Sequence, residues 1–352
     1  MNKRKNYINV KKRNYSKCLL IQKRKYFILL IKILFFMILS TLIYNIYIFL
    51  EKYKYCFDCI EKKKVGDSKC LECPDEILYK NLYIISTENT INEIIKNHKS
   101  ISRFGDGEIG MIFGHSISFQ KRDNHLRNKL FEVLNSNEKN LLIGVRFPYQ
   151  KKKLNEMSAH GHKYWKKWVH KYKFKMLNIL KKKKYYSSDI TRFYTKNKDK
   201  SKVYKYILKF KKIWDGRDVV VIEGEKTRFG IGNDLLNNAK SIKRILCPTR
   251  NAYNLYDKIL NAALKFDKNN LIIISLGPTA SILAYDLAKY GYQAVDLGHA
   301  DIQYELFLRN ASRHIRIPYK FVNEYDHGMN ETSLEEAPDK RYYEQIIEKI
   351  LY

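Results

Sequence analysis

The sequence predicts an α/β protein with a mostly parallel sheet and helices on both faces, preceded by one transmembrane helix. Two observations support this prediction. From about residue 80, short apolar runs alternate with segments of helical spacing, at lengths typical of strand–helix–strand units. Before them lies one long apolar segment with lysine-rich sequence on both sides.

The composition excludes several classes of protein. Of the 352 residues, 45% are hydrophobic, which is enough to build a core and argues against a wholly disordered chain. The mean hydropathy of −0.47 argues against a polytopic membrane protein. Lys and Arg number 67 against 36 Asp and Glu, giving a formal charge of +31. Because no recognition motif accompanies this charge, we expect no specific nucleic-acid partner.

The N-terminus has the pattern of a membrane anchor. Residues 1–25 contain ten Lys and Arg and no acid, which predicts a basic cytosolic tail. Residues 26–50 are mostly apolar, carry Lys32 as their only charge, and are long enough to cross a bilayer as a signal-anchor helix. A buried core helix and a cleaved signal peptide are the alternatives. The run is apolar on all sides and exceeds the usual length of a signal peptide.

Residues 51–79 are predicted to form a stem with four cysteines, at positions Cys56, Cys59, Cys70 and Cys73. Two Cys-x2-Cys pairs at this spacing are typical of a tetrahedral Zn²⁺ site. Across a membrane, the same residues would instead form two disulfides. Free thiols are the third possibility.

The remaining chain alternates between strands and helices. Seven apolar runs predict strands at 101–104, 141–147, 185–190, 219–223, 244–247, 271–276 and 293–297. Helical spacing is found at 88–98, 123–135, 161–180, 199–212, 233–240, 251–266, 279–290 and 301–308, and a C-terminal helix is predicted over 331–352. Because such sheets bind ligands outside the carboxyl ends of their strands, the residues after each strand are the candidate site.

The first of these strands runs into the sequence Arg103-Phe104-Gly105-Asp106-Gly107-Glu108. In an extended chain, residues two apart project to the same side, so both carboxylates would face one cation. Oxygen ligands of this kind suit Mg²⁺ or Mn²⁺. Arg103, at the same strand end, is a candidate for binding a cofactor. The alternative is an acidic loop without a function.

Three later strand ends also carry polar residues. The first leads into a glycine-containing turn whose candidate binding residues are Glu225, Arg228, Asn233 and Asp234. Backbone N–H groups at a helix start there would favour a phosphate. Thr279 follows the next strand end, also at a helix start. The last strand leads to His299, Asp301 and Glu305, candidates for a general base or a further metal ligand.

Four segments in the same order resemble the GT-D glycosyltransferase family: RFGDGE, EGEKTRFGIGNDL, CPTRNAY and SLGPTASILAYDLAKYGYQAVDLGHADIQYE. The resemblance covers about residues 85–325. It implies a Rossmann-like domain, placed at 80–330, that uses a UDP-sugar and a divalent cation. The family's metal motif falls on Asp106 and Glu108. Its nucleotide and active-site turns correspond to Glu225, Arg228, Asn233, Asp234 and residues 298–301.

Together these observations predict a hexosyltransferase that acts on a glycan or glycoprotein acceptor. The cation would neutralise charge on the diphosphate leaving group, and Arg228 would add a charge-assisted hydrogen bond. Asp301 or Glu305 would accept the proton of the acceptor hydroxyl. The alternative is a membrane-tethered module that binds a nucleotide or a polyanion without catalysis.

A basic tail, one span, a stem and a catalytic domain describe a type II membrane glycosyltransferase. In a eukaryote, it would face the lumen of the secretory pathway, in the Golgi or the endoplasmic reticulum. In a bacterium, where UDP-sugars are cytosolic, it would be an inner-membrane protein with a cytosolic catalytic domain.

Overall fold

The computed structural model describes residues 32, 34–45, 82–146, 157–180, 184–195, 197, 199–325 and 334–352. The chain divides into two units, Met1–Pro74 and Asp75–Tyr352. The basic tail over 1–25 and the four cysteines of the predicted stem lie outside the described residues. Zinc, disulfides and free thiols therefore all remain predictions.

In the first unit, the described residues 32 and 34–45 are helical. Within the described residues, no helix has both the length and the apolar character that a membrane span requires. This finding overturns the predicted localisation as a single-pass membrane protein, and the predicted signal-anchor helix over 26–50 is not supported.

The second unit is built on a nine-stranded sheet in which all paired neighbours are parallel. The strands are β1 (Tyr83–Ile84), β2 (Ser100–Phe104), β3 (Leu141–Val145), β4 (Lys184–Ser187), β5 (Asp218–Gly224), β6 (Ser241–Cys247), β7 (Leu271–Ser275), β8 (Gln293–Asp296) and β9 (Ile346–Lys349). Their spatial order is β1-β4-β3-β2-β8-β7-β5-β6-β9. The predicted α/β class with a mostly parallel sheet is confirmed, and all seven predicted strands are present.

Helices connect these strands and cover both faces of the sheet. They are α1 (Thr87–Lys96), α2 (Asp106–Ile112), α3 (Asn124–Leu134), α4 (Ala159–Ile179), α5 (Val203–Lys211), α6 (Tyr256–Ala263), α7 (Pro278–Lys289), α8 (Ala300–Leu308) and α9 (Arg341–Gln345). Side chains alternate between the faces along β5. Val219 and Val221 pack in a core with residues of α1 and α5, whereas Val220 and Ile222 pack with residues of α6 and α7.

Two predicted helices differ from the structure. Residues 233–240 form a series of turns. There the Asn233 side chain accepts the N–H of Leu235 at 3.0 Å, and the Leu235 carbonyl accepts from the Trp214 indole at 3.0 Å. These bonds use backbone groups that a helix would need. Of the predicted C-terminal helix over 331–352, the structure describes residues 334–352. Among these only α9 is helical, and the strand β9 that follows pairs with β6.

The two halves of the sheet meet where β2 lies beside β8. From β2 the chain builds β3 and β4 to one side, and it later returns through β7 and β8 from the other side. The carboxyl ends of β2 and β8 therefore flank the point where the strand order reverses. This is the place where sheets of this kind form a ligand-binding crevice.

Candidate active site

The Asp106 and Glu108 carboxylates lie at the carboxyl end of β2, as the sequence predicts, but their backbone is not extended. Helix α2 begins at Asp106, so the two side chains diverge by about 200° around the helix. The Gly105 N–H donates to Glu108 Oε2 at 2.8 Å, in the geometry of a capping box. The extended arrangement expected from the sequence is therefore wrong, because the strand turns into a helix at once.

Asp106 receives a hydrogen bond from a helix that is distant in sequence. The Tyr164 hydroxyl, on α4, donates to Asp106 Oδ2 at 2.5 Å. Burial raises the pKa of Tyr164, and the charge of Asp106 raises it further. The phenol therefore stays protonated and acts as a donor to the carboxylate.

Glu108 is half-buried, and its carboxyl group titrates above its ordinary range. Burial raises the pKa of Glu108 to about 6, and the Asp296 carboxylate adds to the shift. Backbone hydrogen bonds and the Arg103 guanidinium act in the opposite direction. The shift means that the charged form of Glu108 is costly here, so a nearby cation would stabilise it.

The oxygen ligands at this crevice fit a divalent cation that is bound partly by the protein and partly by a substrate. Within the described residues, no group of three or more His, Cys, Asp or Glu is placed to hold a metal ion. Mg²⁺ and related cations are commonly held by one or two carboxylates, with phosphate and water oxygens completing the shell. Asp106 and Glu108 each supply one such carboxylate at this strand end, although their side chains diverge around α2, whereas the nearby Asp296 pairs with Arg103 at 2.7 Å.

Arg103 joins three elements at the crevice. Its Nε donates to the Asp296 carbonyl at 2.6 Å, and its Nη1 donates to Thr191 Oγ1, after β4, at 2.6 Å. Together with the ion pair to the Asp296 carboxylate, these bonds hold the guanidinium in place. Gly298, with φ of +36°, lies so close that a Cβ there would be 2.2 Å from Arg103 Nη2. Glycine at this position therefore makes room for Arg103.

Two residues that the sequence analysis missed, Arg192 and Glu324, surround His299. Arg192 Nη1 pairs with Glu324 Oε1 at 2.7 Å, and Nη2 lies 3.1 Å from His299 Nδ1. His299 Nε2 lies 3.1 Å from the same Glu324 oxygen. Because a guanidinium only donates, Nδ1 must accept, which leaves the imidazole proton on Nε2, facing Glu324.

The electrostatics favour this tautomer. Burial, followed by the charge of Arg192, lowers the pKa of His299, so its neutral form is preferred. Burial alone would raise the pKa of Glu324, but its interactions with His299 and with the Arg192 charge hold it well below its usual range. His299 is therefore a neutral side chain with both ring nitrogens in contact with charged partners.

Asp301 and Glu305 form a separate, closed cluster at the start of α8. Lys320 Nζ donates to Asp301 Oδ2 at 2.6 Å and to Glu305 Oε1 at 3.0 Å, and its side chain is fully buried. Asn233 Nδ2 donates to both carboxylates at 2.8 Å. Burial raises the pKa of Asp301, and the Lys320 charge opposes the shift. A role as proton acceptor would require one of these hydrogen bonds to break, and that role remains a prediction.

The other candidate residues contact different parts of the fold. Arg228 Nη1 donates to the carbonyls of Tyr319 at 2.8 Å and Glu335 at 2.5 Å. Asp234 accepts from Lys211 at 2.9 Å and from the Tyr304 hydroxyl. These contacts tie the turn after β5 to the C-terminal segment and to α5. They do not place Arg228 or Asp234 beside the β2–β8 crevice.

Glu225 and Thr279 remain as candidate binding residues. The Glu225 N–H donates to the Cys247 carbonyl at 2.8 Å. The Glu225 side chain is half-buried and follows directly after the carboxyl end of β5. Thr279 is buried in the first turn of α7, and its hydroxyl has no hydrogen-bond partner among the described residues. Both positions are compatible with ligand contacts at the carboxyl edge of the sheet.

Comparison with known proteins identifies the family. Residues 101–325 match the family described as glycosyltransferase GT-D fold. The chain belongs to this family. The matched range contains every strand from β2 to β8 and both sides of the crevice, so the GT-D match includes Asp106, Glu108, Arg192, His299 and Glu324.

Two curated relatives of this GT-D chain come from streptococci. The probable glycosyl transferase Gly of Streptococcus gordonii is 34% identical over 270 residues, which cover 76% of this chain and 39% of the relative. Glycosyltransferase GlyD of Streptococcus pneumoniae is 32% identical over 279 residues, covering 78% of this chain and 34% of the relative. The chain thus spans less than half the length of these relatives. The family and both names support a glycosyltransferase.

Solved structures resemble the GT-D chain at the level of the fold. One, of domain of unknown function 1792, is described as having a distinct glycosyltransferase fold. It has a TM-score of 0.74 and 33% identity, and the match covers 80% of this chain and 100% of that chain. A second is described as a new glycosyltransferase from Streptococcus sanguinis. It has a TM-score of 0.72 and 32% identity, with 76% and 99% covered.

Proposed function

We propose that this GT-D chain transfers a hexose from a UDP-sugar to a glycan or glycoprotein acceptor, using Mg²⁺ or Mn²⁺ bound by Asp106 and Glu108. One observation carries most of the proposal: two carboxylates follow β2 at the point where the strand order reverses. That is where ligands bind in open α/β sheets. The choice of UDP and of the cation comes from the resemblance to the family.

The residues of the crevice suggest how the site would work. When bound, the cation would offset the negative charge that develops on the departing diphosphate. Arg192 would add a second positive charge at the same crevice. Burial lowers its pKa, but Glu324 and, more weakly, Asp106 raise it, so the guanidinium stays charged beside the carboxylates. Arg192 is thus better placed than Arg228 to meet the diphosphate.

The proton of the acceptor hydroxyl needs a separate acceptor. The candidates for this role are Asp301 and Glu305, whose carboxylates already accept hydrogen bonds from Lys320 and Asn233. His299 has both ring nitrogens occupied in its neutral form. Asp301→Asn and Glu305→Gln therefore test the assignment, since each amide keeps the shape of the carboxylate but cannot take up the proton.

The proposal is tested with the purified full-length chain, a panel of nucleotide sugars and Mn²⁺. We expect UDP release and transfer of hexose, detected by mass spectrometry of the acceptor, and loss of both with a chelator. Asp106→Ala and Glu108→Ala should abolish transfer. Asp199→Ala is the control, because that exposed carboxylate bonds locally to Ser201.

Two results would contradict the proposal in different ways. Full activity of the Asp106→Ala/Glu108→Ala double variant would remove the metal assignment. UDP binding without turnover of any donor would instead support a non-catalytic nucleotide-binding module.

A further inference from the structure

A tyrosine from outside the predicted motifs contacts the first carboxylate of the candidate metal site. Tyr164 belongs to α4, in the connection between β3 and β4, and its hydroxyl lies 2.5 Å from Asp106 Oδ2. Hydrogen bonds between a hydroxyl and a carboxylate at this distance are charge-assisted and among the stronger ones in proteins. The bond links two segments that are 58 residues apart.

Tyr164 is presented by a rigid support. Its ring packs edge-on against Trp165, with centroids 5.4 Å apart, and Trp165 is fully buried. The Arg146 guanidinium lies over the Trp165 ring at 4.8 Å and pairs with Asp189 at 2.9 Å. Arg146 follows β3 and Asp189 follows β4, so α4 is fastened to the carboxyl edge of the sheet. The phenol therefore reaches Asp106 from a helix that packs against the carboxyl edge of the sheet.

We propose that Tyr164 is a positioning residue for the cation site, and that its hydroxyl fixes the orientation of the Asp106 carboxylate. The inference rests on the proposed function, because it assumes that Asp106 is a metal ligand. Groups that hydrogen-bond to metal ligands orient them, and removing such a group typically weakens metal binding about 10- to 100-fold.

A competing reading is that the phenol occupies the place of the cation and must leave before metal binds. A carboxylate has roughly four lone-pair positions on its two oxygens, so it can accept one hydrogen bond and bind a cation together. The anchoring of α4 through Trp165 also argues for a permanent contact. The two interpretations predict opposite effects on cation binding. Loss of the hydroxyl weakens binding if Tyr164 positions Asp106, and strengthens binding if the phenol occupies the place of the cation.

The test is Tyr164→Phe in the full-length chain, which removes only the hydroxyl from a ring that is 42% exposed. Binding of Mn²⁺ alone, without a donor, is measured by electron paramagnetic resonance and calorimetry. We expect the Kd for Mn²⁺ to rise about 10- to 100-fold. Tyr172→Phe is the matched control on the same helix, because its hydroxyl lies 3.4 Å from His115 Nε2. This control should leave Mn²⁺ binding unchanged.

A double-mutant cycle with Asp106→Asn separates positioning from a general effect on the fold. In the Asp106→Asn background, Tyr164→Phe should change the Kd for Mn²⁺ little, because the carboxylate that it orients is gone. An equal loss in both backgrounds would overturn the inference, as would unchanged or tighter binding by Tyr164→Phe alone. If Asp106→Asn binds Mn²⁺ as tightly as the wild type, the metal assignment of the proposed function fails, and the inference fails with it.

Discussion

The charge cluster around Lys320 allows a quantitative prediction. Its ammonium group is fully buried and bonds two carboxylates, those of Asp301 and Glu305, whose side chains are each only 2% exposed. Lys320→Met keeps much of the side-chain volume but removes the cation from both carboxylates, and only Glu305 retains a second ion pair, with Arg309 Nη2 at 3.2 Å. Removing one partner from a buried ion pair typically costs about 3–5 kcal/mol, because the remaining charge stays desolvated. We expect a loss of that size in the free energy of unfolding.

An exposed ion pair in the same protein serves as a comparison for the loss of stability. Lys265 and Glu348 lie 3.2 Å apart, with side chains 66% and 35% exposed. Water solvates both ions whether or not they pair, so Lys265→Met should cost less than about 1 kcal/mol. At roughly 2–4 °C per kcal/mol for a domain of this size, Lys320→Met should lower the Tm by about 6–20 °C and Lys265→Met by less than about 4 °C.

Urea denaturation followed by circular dichroism, with thermal scans, measures both changes. A further variant that carries Asp301→Asn and Glu305→Gln together with Lys320→Met should recover part of the lost stability, because it removes the uncompensated charges. A loss below about 1 kcal/mol for Lys320→Met would refute the reasoning. It would mean that water reaches the cluster, and the two carboxylates would then be accessible as proton acceptors.

Three further predictions follow from the crevice. Arg192→Ala should lower turnover at least tenfold, whereas Arg228→Ala should chiefly lower the Tm. Kinetics and thermal scans on both variants measure these effects. A large loss of turnover in Arg228→Ala and not in Arg192→Ala would contradict the assignment. The pKa of His299 is lowered from 6.5, so the folded state binds fewer protons at this residue than the unfolded state does. The neutral imidazole therefore contributes to the free energy of unfolding above about pH 6.5, and this contribution is lost as the pH falls. The wild type should therefore lose more Tm between pH 7.5 and 5.5 than His299→Asn does. Gly298→Ala should lower both Tm and turnover by displacing the adjacent guanidinium, while Gly110→Ala, where a Cβ meets nothing within 4 Å, should leave both nearly unchanged.

Most strands that the sequence predicts are ones that the sheet buries on both faces. β7, for example, is a continuous run of buried residues, Leu271–Ser275, which has no other place than a core. β9 at the sheet edge alternates between half-buried and exposed positions and contains Glu348 and Lys349. The amino-acid composition of such a run is the same as that of many C-terminal helical segments. The strand is therefore recognised only from its pairing with β6 in the structure.

The same limit applies to the site. The strand-end rule locates Asp106, Glu108 and His299, and it would also have found Arg192, which comes five residues after β4. No local pattern marks Tyr164, because its role depends on where α4 lies against the sheet. Nor can local sequence show that a lysine 15 and 19 residues away neutralises the two acids of α8. Long-range ion pairing is a property of the folded topology.

Charge balance at the crevice leads to a prediction about the donor. Arg103 pairs with Asp296, and Arg192 pairs with Glu324. Asp106 and Glu108 lie at the same crevice, so the contacts described here bring four carboxylates together with two guanidinium groups. Near neutral pH, with the pKa of Glu108 at about 6, the negative charge of Glu108 adds to those of the other acids at the crevice. They repel a diphosphate unless a divalent cation neutralises them.

UDP should therefore bind at least tenfold more weakly to the wild-type chain when a chelator is present. The double variant Asp106→Asn/Glu108→Gln should behave in the opposite way. Its neutral amides cannot hold the cation, but they also no longer repel the diphosphate. Its metal-free affinity for UDP should exceed that of the metal-free wild type, and Mn²⁺ should have little effect on it. Calorimetric titration of UDP into both proteins, with and without Mn²⁺, measures the four affinities. If chelation leaves the wild-type affinity unchanged, the diphosphate does not meet these carboxylates, and the donor must bind elsewhere along the carboxyl edge of the sheet.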